Sequence, residues 1–186
     1  MKKITLSFIF LFLSVSMAMA QGGRYLSQNG RAIFKSEATL ELITAKSNSL
    51  LGAIEPGTKE FAFSIKINSF QGFNSQIQRD HFLEDYMDQI DFPVATFLGR
   101  LIEDIPFNTP GTYSVRAKGM LTIHGVSKER IIKGSITIIP GAAQLTTSFS
   151  VPLADHGITI PRIVTQKIAE QIAVTIDIEF AQDSKS

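Results

Sequence analysis

Apolar side chains recur at every second position in two long stretches of this chain, and that spacing decides the fold class before any other property does. Near the C-terminus Ile172, Val174, Ile176, Ile178 and Phe180 alternate with Ala173, Thr175, Asp177 and Glu179; earlier, Phe61, Phe63, Ile65 and Ile67 alternate with Ala62, Ser64, Lys66 and Asn68. Successive side chains of an extended strand point to opposite faces, so a period of two gives one buried and one solvated face. Segments rich in β-branched and aromatic residues, punctuated by Gly, Pro and Asn, extend the reading to strands near 30–36, 39–46, 48–54, 60–68, 94–103, 113–123, 130–139, 144–153 and 171–181. In the stretch 113–123, Val115, Ala117, Leu121 and Ile123 share a face with Gly119, whose missing side chain lets the strand bend or a neighbour approach closely.

Antiparallel strands in this number leave two exposed edges unless the sheet closes on itself. The sequence therefore predicts an all-β fold, an antiparallel barrel of about eight strands with one short helical segment between strands. That segment is Ser75 to Asp91, where Ile77, Leu83, Tyr86, Met87 and Ile90 recur at helical spacing, Ser75 caps the start and Pro93 stops the run. A second helical turn is expected from Thr165 to Glu170. An eight-stranded barrel is wide enough to be filled by its own side chains or to hold one small ligand, and periodicity does not choose between the two.

The first residues carry a different pattern. Met1, Lys2 and Lys3 precede an apolar run from Ile4 to Val15, and Ala18-Met19-Ala20 supplies small residues at the spacing of a cleavage site. This predicts a signal peptide over residues 1–20, cut before Gln21, and a single domain over residues 21–186, periplasmic or secreted. The run falls short of the ~20 apolar residues a spanning helix needs, so no stable transmembrane anchor is expected. Losing Lys2 and Lys3 moves the formal charge from +1 to −1, which gives no electrostatic case for nucleic acid or for an anionic membrane surface. Cysteine is absent, so stability rests on burial and backbone pairing, and 44% hydrophobic residues suffice for a sizeable core.

Residues able to carry chemistry are few. The three histidines, His81, His124 and His156, lie in the helical segment, at a strand end and in a turn, and none forms a helical i, i+4 metal pair. Glu84, Asp85, Asp88 and Asp91 lack the spacing and central Gly of a calcium loop and read as a solvated helix face. No catalytic residue, metal site or cofactor is expected. Large apolar side chains at strand positions are abundant instead, among them Phe34, Phe61, Phe63, Phe97, Phe149 and Phe180. A barrel lined this way either packs solid or encloses a dry cavity that suits an apolar guest, at ~0.8 kcal/mol for each methylene taken from water.

Three blocks carry a family resemblance: Arg79-Asp80-His81-Phe82-Leu83 followed by Asp91-Phe92-Pro93-Val94-Ala95-Thr96-Phe97; Gly119-Met120-Leu121-Thr122-Ile123-His124-Gly125-Val126-Ser127-Lys128; and Asp155-His156-Gly157-Ile158. In that order they resemble the YceI-like family, and with the strands between them they cover most of residues 24–181. The chain departs from the family pattern at Tyr25–Gly30, which lacks the usual Asp-x-x-His-Ser element, and at His156, where an aromatic is more usual. The resemblance implies an extended, lipocalin-like barrel of exported bacterial proteins, non-catalytic, holding a lipid such as a polyisoprenoid, an isoprenoid quinone or a fatty-acid-like molecule. The expected ligand-binding residues are Phe63, Ile65, Phe97, Leu121, Ile123, Phe149, Val174 and Ile176 for the tail, with Arg79, Asp80 and His81 for the head group. A packed barrel acting as a protein-interaction subunit of the cell envelope is the alternative, a histidine-based hydrolase or isomerase stands third, and the sequence leaves a homodimer open.

Overall fold

The computed structural model describes residues 23–183; the expected signal peptide and its cleavage point lie outside them. Eight antiparallel strands follow one another around a closed barrel: β1 (Tyr25–Glu37), β2 (Leu42–Glu55), β3 (Glu60–Lys66), β4 (Val94–Leu101), β5 (Gly111–Ile123), β6 (Val126–Ile139), β7 (Ala142–Pro152) and β8 (Gln171–Gln182). β8 pairs back onto β1, with Phe34 opposite Val174, so neither edge is left open.

Nine expected segments become eight strands because the stretches 39–46 and 48–54 belong to one strand, β2. The alternation breaks there for a physical reason. β1 carries an extra residue between Ser27 and Gly30, and β2 carries one between Ser47 and Leu50. Each bulge flips the parity of the inward face, from Tyr25 and Ser27 to Gly30 and Ala32 in β1, and from Ile43, Ala45 and Ser47 to Leu50 and Ile54 in β2. Ser47 stays buried at the bulge, its hydroxyl 2.7 Å from that of Ser69 and accepting from the Ser49 N–H. On the far side of the barrel Gly99 and Gly119 face each other across β4 and β5, and a Cβ on either would collide with the partner strand's backbone at Lys118 or Leu98.

The helical segment is shorter than its apolar spacing predicts. The helix α1 covers Gln76–His81, with the Ser75 hydroxyl accepting from the Gln78 N–H at 3.2 Å, and a π turn follows over Phe82–Tyr86. It ends before Asp91 because Asp88 takes a left-handed backbone, φ 41°. The second turn forms earlier than expected, at Arg162–Val164 after Pro161.

Because the strands run up and down, alternate connections gather at opposite ends. One end holds the short β2–β3 and β6–β7 turns and the β4–β5 loop, and buried side chains close it: Tyr25, Ile54, Phe61, Ile136, Ile138, Ile178 and Phe180 are each at most 5% exposed, with a separate cleft of about 280 Å³ beside Tyr25, Phe107 and Ile138 on its outer side. Phe107 from the β4–β5 loop lies against Tyr25, ring centroids 5.0 Å apart, and its carbonyl accepts from the Tyr25 hydroxyl. The other end carries the two long connections, residues 67–93 with α1 and residues 153–170.

Candidate functional site

β8 shows what the interior does. Ile178 and Phe180 are each 1% exposed at the packed end, whereas Ile172, Val174 and Ile176, on the same face nearer the long connections, are only half-buried. The accessible surface of these three faces the barrel interior, where a cavity of about 510 Å³ opens at the end carrying α1. The barrel is a blind tube, plugged at one end and hollow toward the other. A volume of this size is in the range of small-molecule sites.

Phe63, Ile65, Phe97, Leu121, Ile123, Phe149, Val174 and Ile176 all line the cavity, and His81 stands at its mouth. Arg79 and Asp80 do not reach it. The Arg79 guanidinium donates from Nε to the Phe70 carbonyl (3.2 Å) and from Nη2 to the Asn68 carbonyl (2.9 Å), which ties α1 to the chain leaving β3. The Asp80 carboxylate accepts from the Gln76 amide at 2.6 Å. Consecutive helical residues are about 100° apart around the axis, so Arg79, Asp80 and His81 cannot share one face.

Other lining residues were not anticipated. Phe70, Phe73 and Phe82 join Phe34 in an aromatic cluster with ring centroids 5.1–6.0 Å apart, which packs α1 and its π turn onto β1. Phe70 and Phe73 sit in an irregular connection where no periodicity exists to assign them a face; the recurrence of Phe in Ser69-Phe70-Gln71-Gly72-Phe73 was the only signal. Ile43, Leu50, Ile132 and Val151 complete the wall from strands whose pattern was interrupted or weak.

The mouth is a collar of three tethered segments. Glu41, in the β1–β2 connection, accepts from the Gln78 amide of α1 at 2.8 Å, and the Asn74 amide donates to the Leu42 carbonyl. On the other side the Leu40 N–H donates to the Gln166 carbonyl and the Ala169 N–H donates to the Ser36 hydroxyl. Tyr86 lines the cavity below the collar; burial, and then the Asp85 charge, push its phenol pKa above the ordinary value, so it stays neutral.

The remaining histidines do structural work. His124 and Gly125 form the two-residue β5–β6 turn, both with positive φ (49° and 71°), and the ring packs edge-on to Phe92. His156 is fully buried; its Nδ1 donates to the Val126 carbonyl at 2.9 Å, and its own carbonyl accepts from His124 Nδ1 at 3.3 Å. Among the described residues no three His, Cys, Asp or Glu side chains are placed to hold a metal ion.

The same architecture recurs in solved structures. A polyisoprenoid binding domain from Saccharophagus degradans, implicated in plant cell wall breakdown, superposes with a TM-score of 0.71 at 14% identity, over 87% of this chain and 99% of that one. BcnA of Burkholderia cenocepacia gives 0.67 at 12% identity, over 81% and 95% of the two chains. The YceI protein of Campylobacter jejuni gives 0.56 at 19% identity, over 74% and 81%. No curated protein matches the chain. At these identities the likeness speaks for the fold, an eight-stranded barrel. The sequence blocks speak for the lineage: the YceI-like domain is matched over residues 26–180, nearly the whole barrel from β1 to β8, and this chain therefore belongs to the YceI-like family.

Proposed function

We propose that this protein binds a long apolar or amphiphilic lipid, of the polyisoprenoid, isoprenoid-quinone or fatty-acid kind, with the tail inside the barrel and the head at the collar. The observation that carries the reading is the gradient along β8, from the fully packed Ile178 and Phe180 to the lumen-facing Ile172, Val174 and Ile176. The wall is mostly Phe, Ile, Leu and Val, and no hydrogen bond among the described residues joins its few hydroxyls to His81 as a nucleophile to a base, so the reading is binding and carriage without catalysis. The tail contacts fall to Phe63, Ile65, Phe97, Leu121, Ile123, Phe149, Val174 and Ile176, and of the three head-group residues expected from sequence only His81 stands where a head would emerge. The name of the Saccharophagus degradans domain supports the isoprenoid class. Residues 1–20 act as a signal peptide in this reading and residues 21–186 as one exported domain. No helix among the described residues is long and apolar enough to cross a membrane.

Native mass spectrometry of the purified protein, followed by organic extraction and identification of the bound molecule, tests the proposal. A co-purifying lipid, displaced by a charge introduced at Val174→Asp, is the expected result. An empty barrel that takes up neither prenyl nor acyl chains removes the carrier reading and leaves a protein-interaction module in its place.

A further inference from the structure

The most exposed large apolar side chains among the described residues are Leu40 (65%), Ile77 (67%), Ile90 (85%) and Ile163 (91%), and all four stand at the mouth end of the barrel. Three belong to the collar itself, one on each of its segments: Leu40 on the β1–β2 connection, Ile77 on α1 and Ile163 beside the Gln166 carbonyl that Leu40 binds. Between them lie polar groups, Glu41, Asn74 and Gln78, engaged in hydrogen bonds that fix the collar. Protein interfaces bury a contiguous apolar core. Single apolar tips separated by polar groups instead match a surface into which each tip can sink on its own, as in the headgroup region of a bilayer.

Local charge points to the same partner although the net charge does not. Arg162 adjoins Ile163, Lys167 lies four residues on at the edge of the cavity, and neither makes an ion pair among the described residues, so both charges are free for an anionic surface. Ile90 sits instead among Glu84, Asp85, Asp88 and Asp91, which keeps its side of the mouth away from such a surface. The apolar cavity wall is continuous with the collar, so a tail leaving a membrane under the collar would not cross open water.

We propose that the barrel seats mouth-down on a phospholipid bilayer, with Leu40, Ile77 and Ile163 sunk into the interface and Arg162 and Lys167 against lipid phosphates. The proposal rests on the lipid-binding reading, and its test separates the two. The protein is floated with vesicles of phosphatidylcholine containing a minority of phosphatidylglycerol, beside a Leu40→Ser/Ile163→Ser variant whose changes lie outside the cavity wall. Uptake of a fluorescent fatty-acid probe is measured in parallel without vesicles. The variant is expected to lose vesicle partitioning by roughly a hundredfold, about tenfold for each tip, and to take up the probe as the unaltered protein does. The chain has no Trp, so Leu40→Trp provides a clean reporter, and its emission shifts to the blue on vesicles while that of Ile139→Trp, at the packed end, does not. An unaltered protein that stays in solution overturns the proposal, as does a Leu40→Trp shift that appears without vesicles and grows with protein concentration, the mark of a second copy on the collar. Flotation without probe uptake keeps the docking surface and removes the lipid-filled cavity.

Discussion

Ile172 and Ile178 point to the same side of β8, yet truncating them should cost different amounts. Ile178 is fully packed among Ile136, Phe180 and their neighbours, so Ile178→Ala opens a new cavity and is expected to lower stability by about 2–5 kcal/mol. Ile172 already borders empty space, and Ile172→Ala should cost about 1 kcal/mol or less, because only part of its surface leaves contact. Urea unfolding of the two variants measures the difference; equal losses would mean the hollow half is packed. A charge pair at the surface gives a pH test. The Arg116 guanidinium and backbone N–H, donating to Glu103 at 2.6 and 2.7 Å, hold its carboxyl below the usual range. Its contribution is therefore complete above the unfolded carboxyl's pKa and disappears as the pH falls through the depressed folded value. Glu103→Gln should lower the urea midpoint at neutral pH and match the unaltered protein in acid. At this scale the strand faces were legible, since all eight tail residues named from alternation reach the cavity wall. The direction of Arg79 was not, because a side chain two residues before the end of α1 can turn its guanidinium to backbone carbonyls that sequence does not display.

Elements were legible where the period held and obscure where one residue interrupted it. The bulges in β1 and β2 each insert a residue and reverse the inward face, so two correct alternations looked like two strands. The left-handed backbone at Asp88 ends the helical run although Ile90 continues its spacing; Asp tolerates that conformation, but its presence in a polar helix face does not require it. What holds α1 in place is the Arg79 clamp and the Phe34, Phe70, Phe73 and Phe82 cluster. Arg79→Ala leaves two carbonyls without that donor and should loosen α1 while the barrel stays closed. The expected outcome is faster release of a bound fluorescent lipid in stopped-flow exchange, several-fold, with little change in far-ultraviolet circular dichroism. Across the barrel, Gly119→Val would drive a side chain into the Leu98 backbone and separate β4 from β5, which should abolish soluble expression.

For the molecule as a whole, closure followed from strand count and the need to cover edges, and it is what the eight paired strands achieve without a single cysteine. Whether the interior is hollow did not follow, because the isoleucines and phenylalanines that plug one end are the same residue types that line the empty half. At the closed end Phe107 folds back onto Tyr25 from 82 residues away in sequence, a contact that no local pattern displays. That stopper gives the tube a fixed depth, and depth makes it a gauge. Affinity measured across a series of saturated chains should climb by ~0.8 kcal/mol per added carbon and then level off, since surplus carbons hang outside in water. An open pipe would show no such ceiling, whereas a thimble reports the length of whatever fills it.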